Sequence, residues 1–141
     1  MITNCLQHIQ EKDFQLSKFA KKILNVENIS FEIGDVNDLE EMFKEKFDLV
    51  LCLGLLYHVE NPKEIIKKVA NISDFVIFET IANVSKQESE LIDDRDITVD
   101  GFVPTVPWLK EAFEEAGFTE ITQITESNFP RVVFKCKRTS E

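Results

Sequence analysis

Seven consecutive residues, Phe47 to Leu53, constrain this chain more than any others. The run Phe-Asp-Leu-Val-Leu-Cys-Leu is apolar except for Asp48, too short for a typical helix, and bounded by Lys44-Glu45-Lys46 before it and Gly54 after it. Such a run predicts a strand buried on both faces, which belongs in a parallel sheet with helices on each side. At its carboxyl end the chain turns at Gly54, passes Leu55 and Leu56, presents Tyr57 and His58 together, and opens a helix at Asn61-Pro62. Ligands of open α/β sheets sit outside the carboxyl ends of the strands, so Tyr57 and His58 are candidate pocket residues. The alternative is that the pair caps the strand and pins the following helix.

The flanking sequence supplies the other layers. Leu16, Phe19, Ala20, Ile23 and Leu24 recur at helical spacing and predict an amphipathic helix lying against the sheet. Ile29 to Ile33 alternates and predicts a short strand ending at Gly34, followed by Asp35, while Asp38 and Glu41 form a capping box for a helix carrying Leu39, Met42 and Phe43. Asn61 caps the next helix, Pro62 sits in its first turn, and Ile65, Ile66 and Val69 form its buried stripe. Phe75 to Phe78 predicts a second buried strand, reached by a right-handed crossover, with Glu79 and Thr80 at its carboxyl end beside Tyr57 and His58. Glu79 there holds a substrate group or another side chain, or faces water.

Residues 85–100 are polar and aperiodic, as in a lid or a plain surface loop. Thr105 caps a further helix, with Pro107 in its first turn, Leu109, Ala112, Phe113 and Ala116 facing inward, and Gly117 as a left-handed stop. Trp108 belongs to the core or stacks on a ligand. Glu120 to Glu126 and Val132 to Lys137 alternate and predict an antiparallel pair closing the sheet.

Composition narrows the function classes. With 141 residues, 43% hydrophobic and 30% charged, the chain reads as one domain, residues 1–141. No apolar run approaches the roughly 20 residues of a membrane span and the amino terminus has no signal pattern, so a cytoplasmic protein without membrane partners is expected. Cys5, Cys52 and Cys136 are odd in number and widely spaced, which predicts reduced core thiols and no metal site. Sixteen basic against 26 acidic side chains give a net charge of −10, a poor footprint for unaided nucleic-acid binding. Lys63, Lys67 and Lys68, or the stretch from Arg131 to Arg138, form local basic patches or solvated faces.

The segment from Phe47 to Pro62, together with Ile33-Gly34-Asp35-Val36, Phe78-Glu79-Thr80 and Gly101-Phe102-Val103-Pro104-Thr105, resembles class I S-adenosylmethionine-dependent methyltransferases. Within them it is most similar to the tRNA wobble-uridine carboxymethyl transferase-like branch. The resemblance runs from about Ile9 to the end. It implies a Rossmann-like, mostly parallel sheet with helices on both faces and a C-terminal antiparallel hairpin. It further implies S-adenosylmethionine as cofactor, with Asp35 accepting from the adenine amine, the Val36 N–H serving a ring nitrogen, and Leu53 and Gly54 lining the cofactor. Tyr57 and His58 are then the catalytic corner, with Glu79 and Trp108 on the substrate side, and the acceptor is a small molecule or, with help, a tRNA base.

The chain departs from that pattern at its front. Its four glycines, Gly34, Gly54, Gly101 and Gly117, are scattered, so the family's glycine-rich loop and the first strand preceding it are missing, as in an N-terminally truncated domain. Ile2 to Ile9 falls where the family's second strand ends, and His8 or Gln7 stands where an acid would hold the ribose unless Glu11 or Asp13 replaces it. A sheet without that central strand exposes hydrogen-bonding edges. The strand then comes from Ile2 to Ile9, from another copy or partner chain, or from a longer parent. Two function classes follow: a methyltransferase, or a degenerate scaffold that binds a partner. Weak or no cofactor binding is expected from this chain alone.

Overall fold

The computed structural model describes residues 11–93, 102–126 and 130–139; the readings placed on Ile2 to Ile9 and on Cys5 lie outside them. Among the described residues there are four helices, α1 (Glu11–Ile23), α2 (Leu39–Met42), α3 (Pro62–Ile72) and α4 (Val106–Glu115), and six strands. The strands are β1 (Val50–Leu53), β2 (Phe75–Ile81), β3 (Leu91–Asp93), β4 (Phe102–Pro104), β5 (Glu120–Gln123) and β6 (Arg131–Lys137). A four-stranded sheet runs β1-β2-β6-β5, and β3 and β4 form a separate antiparallel pair. The α/β class is as expected. The β1–α3–β2 unit is parallel, with Val50 beside Val76 and Leu53 beside Glu79, while β6 pairs antiparallel with both β2 and β5.

One face of this sheet carries the core. Cys52, Val76, Phe78, Val132, Phe134 and Cys136 meet Ile65, Ile66 and Val69 of α3 and Leu109, Ala112 and Phe113 of α4. Phe78 stacks on Phe113 at 4.7 Å between centroids, and Phe113 lies 5.3 Å from Phe134. Each fully buried ring or branched aliphatic there contributes about 2–3 kcal/mol of transfer free energy. The helix punctuation follows the sequence: the Asn61 side chain accepts from Glu64 N, Thr105 Oγ1 accepts from Trp108 N, and Gly117 takes φ +93° after α4. Arg138 closes both helix ends, donating to Ala70 O of α3 and to Ala116 O and Gly117 O after α4.

The other face differs from the sequence reading. The hub strand is not buried on both sides: Leu51 and Leu53 are 49% and 42% exposed. β1 is the edge of the described sheet, and no described helix covers that face. Helix α1 forms as its periodicity predicts but does not lie against the sheet, leaving Leu16, Phe19, Ile23 and Leu24 between 59% and 71% exposed. Ile29 to Ile33 forms neither strand nor helix, because alternation makes a ladder only where a neighbouring backbone is in reach. The capping box also fails. Asp38 sits at φ −99°, ψ 13°, outside the extended conformation that aims a capping side chain, and makes no cap bond. Among the described residues no helix is long and apolar enough to cross a membrane.

Candidate functional site

The end of β1 is shaped by its own backbone. Gly54 takes φ +67°, which turns the chain sharply out of the strand, and its N–H donates to Glu79 O at 3.0 Å, keeping the turn on the end of β2. Leu55 and Leu56 plunge into the core, so the 3-10 turn Leu56–His58 must point its next two side chains outward. Tyr57 is half-buried and His58 exposed, with ring centroids 4.2 Å apart.

A third cation-bearing strand end completes the corner. Antiparallel pairing sets Arg131 opposite Ile81, two residues beyond Glu79, and its guanidinium reaches both neighbours. Nη1 donates to Glu79 Oε1 at 2.5 Å and Nη2 to Tyr57 Oη at 3.2 Å, with the guanidinium carbon 5.7 Å from the Tyr57 ring centre. The Glu79 hydrogen bond and, next, the Tyr57 hydrogen bond raise the Arg131 pKa further above its ordinary value. Below the corner, burial and then the Glu79 charge push the Cys52 thiol up to about 12, so it stays a neutral core group. Of the alternatives for Glu79, holding another side chain is the one realised.

Asp35 and Val36 stand on a second turn. Asp35 Oδ1 accepts from Asn37 N and from Asn37 Nδ2, both at 2.8 Å, so the carboxylate caps the 3-10 turn Val36–Asp38. Val36 packs on the core edge. This turn and the Tyr57-His58 turn both rest on α3, the first held by Lys68 Nζ donating to Asn37 O at 2.7 Å. Trp108 lies in the core at the start of α4, 9% exposed, with Lys63 Nζ 5.5 Å from its ring. The structure thus brings together Leu53, Gly54, Tyr57, His58 and Glu79, sets Asp35 and Val36 on a neighbouring loop, and leaves Trp108 in the packing.

Sequence reasoning read Arg131 only as part of a basic stretch. The signal that would have found it is the register of the predicted antiparallel pair, which brings the first residue of the last strand to the carboxyl end of β2. A strap carrying β3 and β4 lies beside this corner. Its strand β4 touches the Tyr57-His58 turn, and its base is tied to α4 by Thr105, whose Oγ1 also accepts from Glu90 N at 3.0 Å and donates to Glu88 O at 2.8 Å. Among the described residues no three His, Cys, Asp or Glu side chains converge as a metal site. Chemically, the corner offers a fixed guanidinium and phenol as hydrogen-bond donors beside an exposed imidazole.

Residues 7–131 match a protein family described as methyltransferase domain. The tRNA U34 carboxymethyltransferase of Campylobacter jejuni (strain 81-176) is 31% identical over 113 residues, covering 73% of this chain and 38% of that protein. A ubiquinone biosynthesis O-methyltransferase of Neisseria meningitidis is 31% identical over 85 residues, 58% of this chain and 36% of that protein. The chain therefore spans little more than a third of the length of these relatives. Among solved structures, the N-terminal domain of EvdMO1 with S-adenosylhomocysteine bound overlays with a TM-score of 0.75 at 26% identity, covering 93% of this chain and 62% of that one.

Proposed function

The chain belongs to the methyltransferase domain family, and we propose that it forms the acceptor-side wall of an S-adenosylmethionine-dependent methyl transfer site in the cytoplasm. The observation that carries this reading is the Gly54-Tyr57-His58 corner at the end of β1, joined by Arg131 and Glu79, in a chain that overlays almost entirely on a domain with S-adenosylhomocysteine bound. When bound, the cofactor supplies a methyl group already activated on a cationic sulfur, which leaves the protein mainly to align an acceptor. Tyr57 Oη and the Arg131 guanidinium orient the acceptor, and His58 takes its proton where one must leave. The acceptor is a small molecule or, with a helper supplying positive charge, a tRNA base. A guanidinium at this corner also suits the carboxylate implied by the carboxymethyl transfer of the C. jejuni relative.

The residues present fit the cofactor in part. Asp35 and the Val36 N–H suit the adenine edge, and Leu53 and Gly54 the nucleoside wall. The sequence holds no glycine-rich loop for the methionine end. We therefore read residues 1–141 as one methyltransferase-like domain whose site and sheet need a further strand along β1, from elsewhere in the same protein or from another chain. A degenerate scaffold is the second reading. It is favoured by Asp35 being engaged in its own turn and by Glu79 and Arg131 neutralising each other.

Titration calorimetry with S-adenosylhomocysteine separates the two. Weak, saturable heat that Asp35→Ala removes is the outcome expected of the methyltransferase reading. A folded sample giving no heat, alone and with the completing strand supplied, leaves only the scaffold.

A further inference from the structure

Helix α3 carries Lys63, Lys67 and Lys68, and the first and last of them reach opposite neighbours. Lys63 Nζ donates to Glu115 of α4 at 2.8 Å. Lys68 turns the other way, toward the turn that bears Asp35 and Val36, and its Nζ donates to Asn37 O at 2.7 Å. Its side chain is 19% exposed, well covered for a lysine, with Glu64 Oε1 3.5 Å away one helical turn back. Side chains on a helix lean toward its amino terminus, so Lys68 reaches along α3 toward the end that follows Tyr57 and His58. Asn61, three residues after His58, donates to Glu64 Oε2 at 3.4 Å and accepts from Glu64 N at 3.3 Å. Asn61, Glu64, Lys68 and Asn37 thus make one polar line from the foot of the Tyr57-His58 corner to the neighbouring turn.

We propose that Lys68 is a positioning residue for the nucleoside end of the cofactor: through Asn37 O it fixes the turn bearing Asp35 and Val36 on α3, at a set place relative to Tyr57 and His58. This deepens the methyltransferase reading and rests on it. Asn37 is the joint. Its N–H and its side-chain Nδ2 both donate to Asp35 Oδ1 at 2.8 Å, so whatever holds Asn37 holds the carboxylate. The Asp38 N–H, on the same peptide group as Asn37 O, donates to Asp35 O at 3.0 Å, and a cation drawing on that carbonyl strengthens the donor. The N–H groups of Asn37, Asp38 and Leu39 all bond inside the turn, and the Val36 N–H ahead of them is the donor assigned above to the adenine edge.

A second bond provides the contrast. Asn71 Nδ2 of α3 donates to Glu40 Oε1 of α2 at 2.7 Å. Both bonds tie α3 to the segment 31 residues before it, but Lys68 lands on the turn that bears Asp35, and Asn71 lands on the helix after it. Packing alone would make the two interchangeable, since the buried Leu39 anchors that helix in the core either way. The line also lies on the α3 side of the sheet, so it does not depend on what covers the outer edge of β1.

The test is calorimetric titration of the full chain with adenosine and with S-adenosylhomocysteine, comparing wild type with Lys68→Met, Lys68→Arg and Asn71→Ala, each checked for folding by urea. The proposal expects Lys68→Met to weaken both ligands by about tenfold, the size of one hydrogen bond from a charged group. Lys68→Arg recovers most of that loss, and Asn71→Ala binds as wild type does. A Lys68→Met chain that binds both ligands as tightly as wild type overturns the proposal. An Asn71→Ala chain that loses as much as Lys68→Met overturns it equally, because the lysine is then ordinary packing. If Lys68→Met does not fold, Lys68→Gln is read in its place against the same two outcomes. A folded wild type that binds neither ligand, with or without the completing strand supplied, removes the methyltransferase reading and this inference with it, whereas binding indifferent to Lys68 sinks the inference and spares the reading.

Discussion

Thr105 is fully buried, and its one hydroxyl serves three backbone groups. It accepts from Trp108 N at 3.3 Å as the cap of α4, accepts from Glu90 N at 3.0 Å, and donates to Glu88 O at 2.8 Å. Thr105→Val keeps the shape and removes all three bonds. Loss of the cap costs about 1 kcal/mol, and stranding the Glu90 N–H and Glu88 C=O costs about 1 kcal/mol each at the low end of the range, since the strap is partly solvated. The sum, about 3 kcal/mol, is a large share of the 5–15 kcal/mol typical of a domain. Thr105→Ser keeps the hydroxyl and gives up one methyl, about 1 kcal/mol.

Urea unfolding of the two variants therefore gives a gap of about 2 kcal/mol between them. Hydrogen exchange adds the local signature, with Glu90 and Trp108 amides losing protection in the valine variant before the β2–β6 amides do. Because β4 touches the Tyr57-His58 turn, the His58 ring resonances shift in Thr105→Val and stay in place in Thr105→Ser. Equal stability of the two variants, or a valine variant within about 0.5 kcal/mol of wild type, refutes the accounting.

Gly54→Ala is expected to cost about 1–2 kcal/mol, because an alanine at φ +67° is strained. The added Cβ would lie 3.5 Å from Tyr57 Oη and 3.7 Å from Glu79 Oε2, ordinary contact distances, so a loss above about 3 kcal/mol in urea unfolding would contradict a purely backbone origin. Asp74 gives the acid-side prediction. Its hydrogen bond from Lys46, with further help from the charges of Lys46 and Arg138, lowers its pKa. A depressed folded pKa means stability that is present above the unfolded value of about 3.9 and is lost as pH falls through the folded one. The carboxylate is 47% exposed, so the contribution is at most about 1 kcal/mol. Wild type should exceed Asp74→Asn by that amount from pH 7 to about pH 5 and converge with it once the pH lies below the folded pKa; a gap that persists at the acid end refutes the assignment.

What could be read from the sequence and what could not divide along one physical line. Asn61-Pro62, Thr105-Pro107 and Gly117 are caps and stops whose chemistry is complete within four residues, and each stands where it was read. Tyr57 and His58 needed only the end of one strand to be placed. Arg131 did not announce itself, because its partners Glu79 and Tyr57 lie 52 and 74 residues away and meet it only through the β2–β6 register. The three misreadings on the other side of the molecule, a two-sided burial of β1, a strand at Ile29 to Ile33 and a docked α1, have a single cause. Each feature has the pattern of a buried element, and each needs a neighbour beside β1 that the described residues do not provide. Periodicity records which side of a segment is meant to be covered; it says nothing of which chain does the covering. A strand laid along β1 would satisfy Leu51 and Leu53, create a platform for α1, and bring a second backbone within reach of Ile29 to Ile33. Those three changes should therefore appear together in hydrogen exchange, and an arrangement that protects one without the others would show that the misreadings were separate after all.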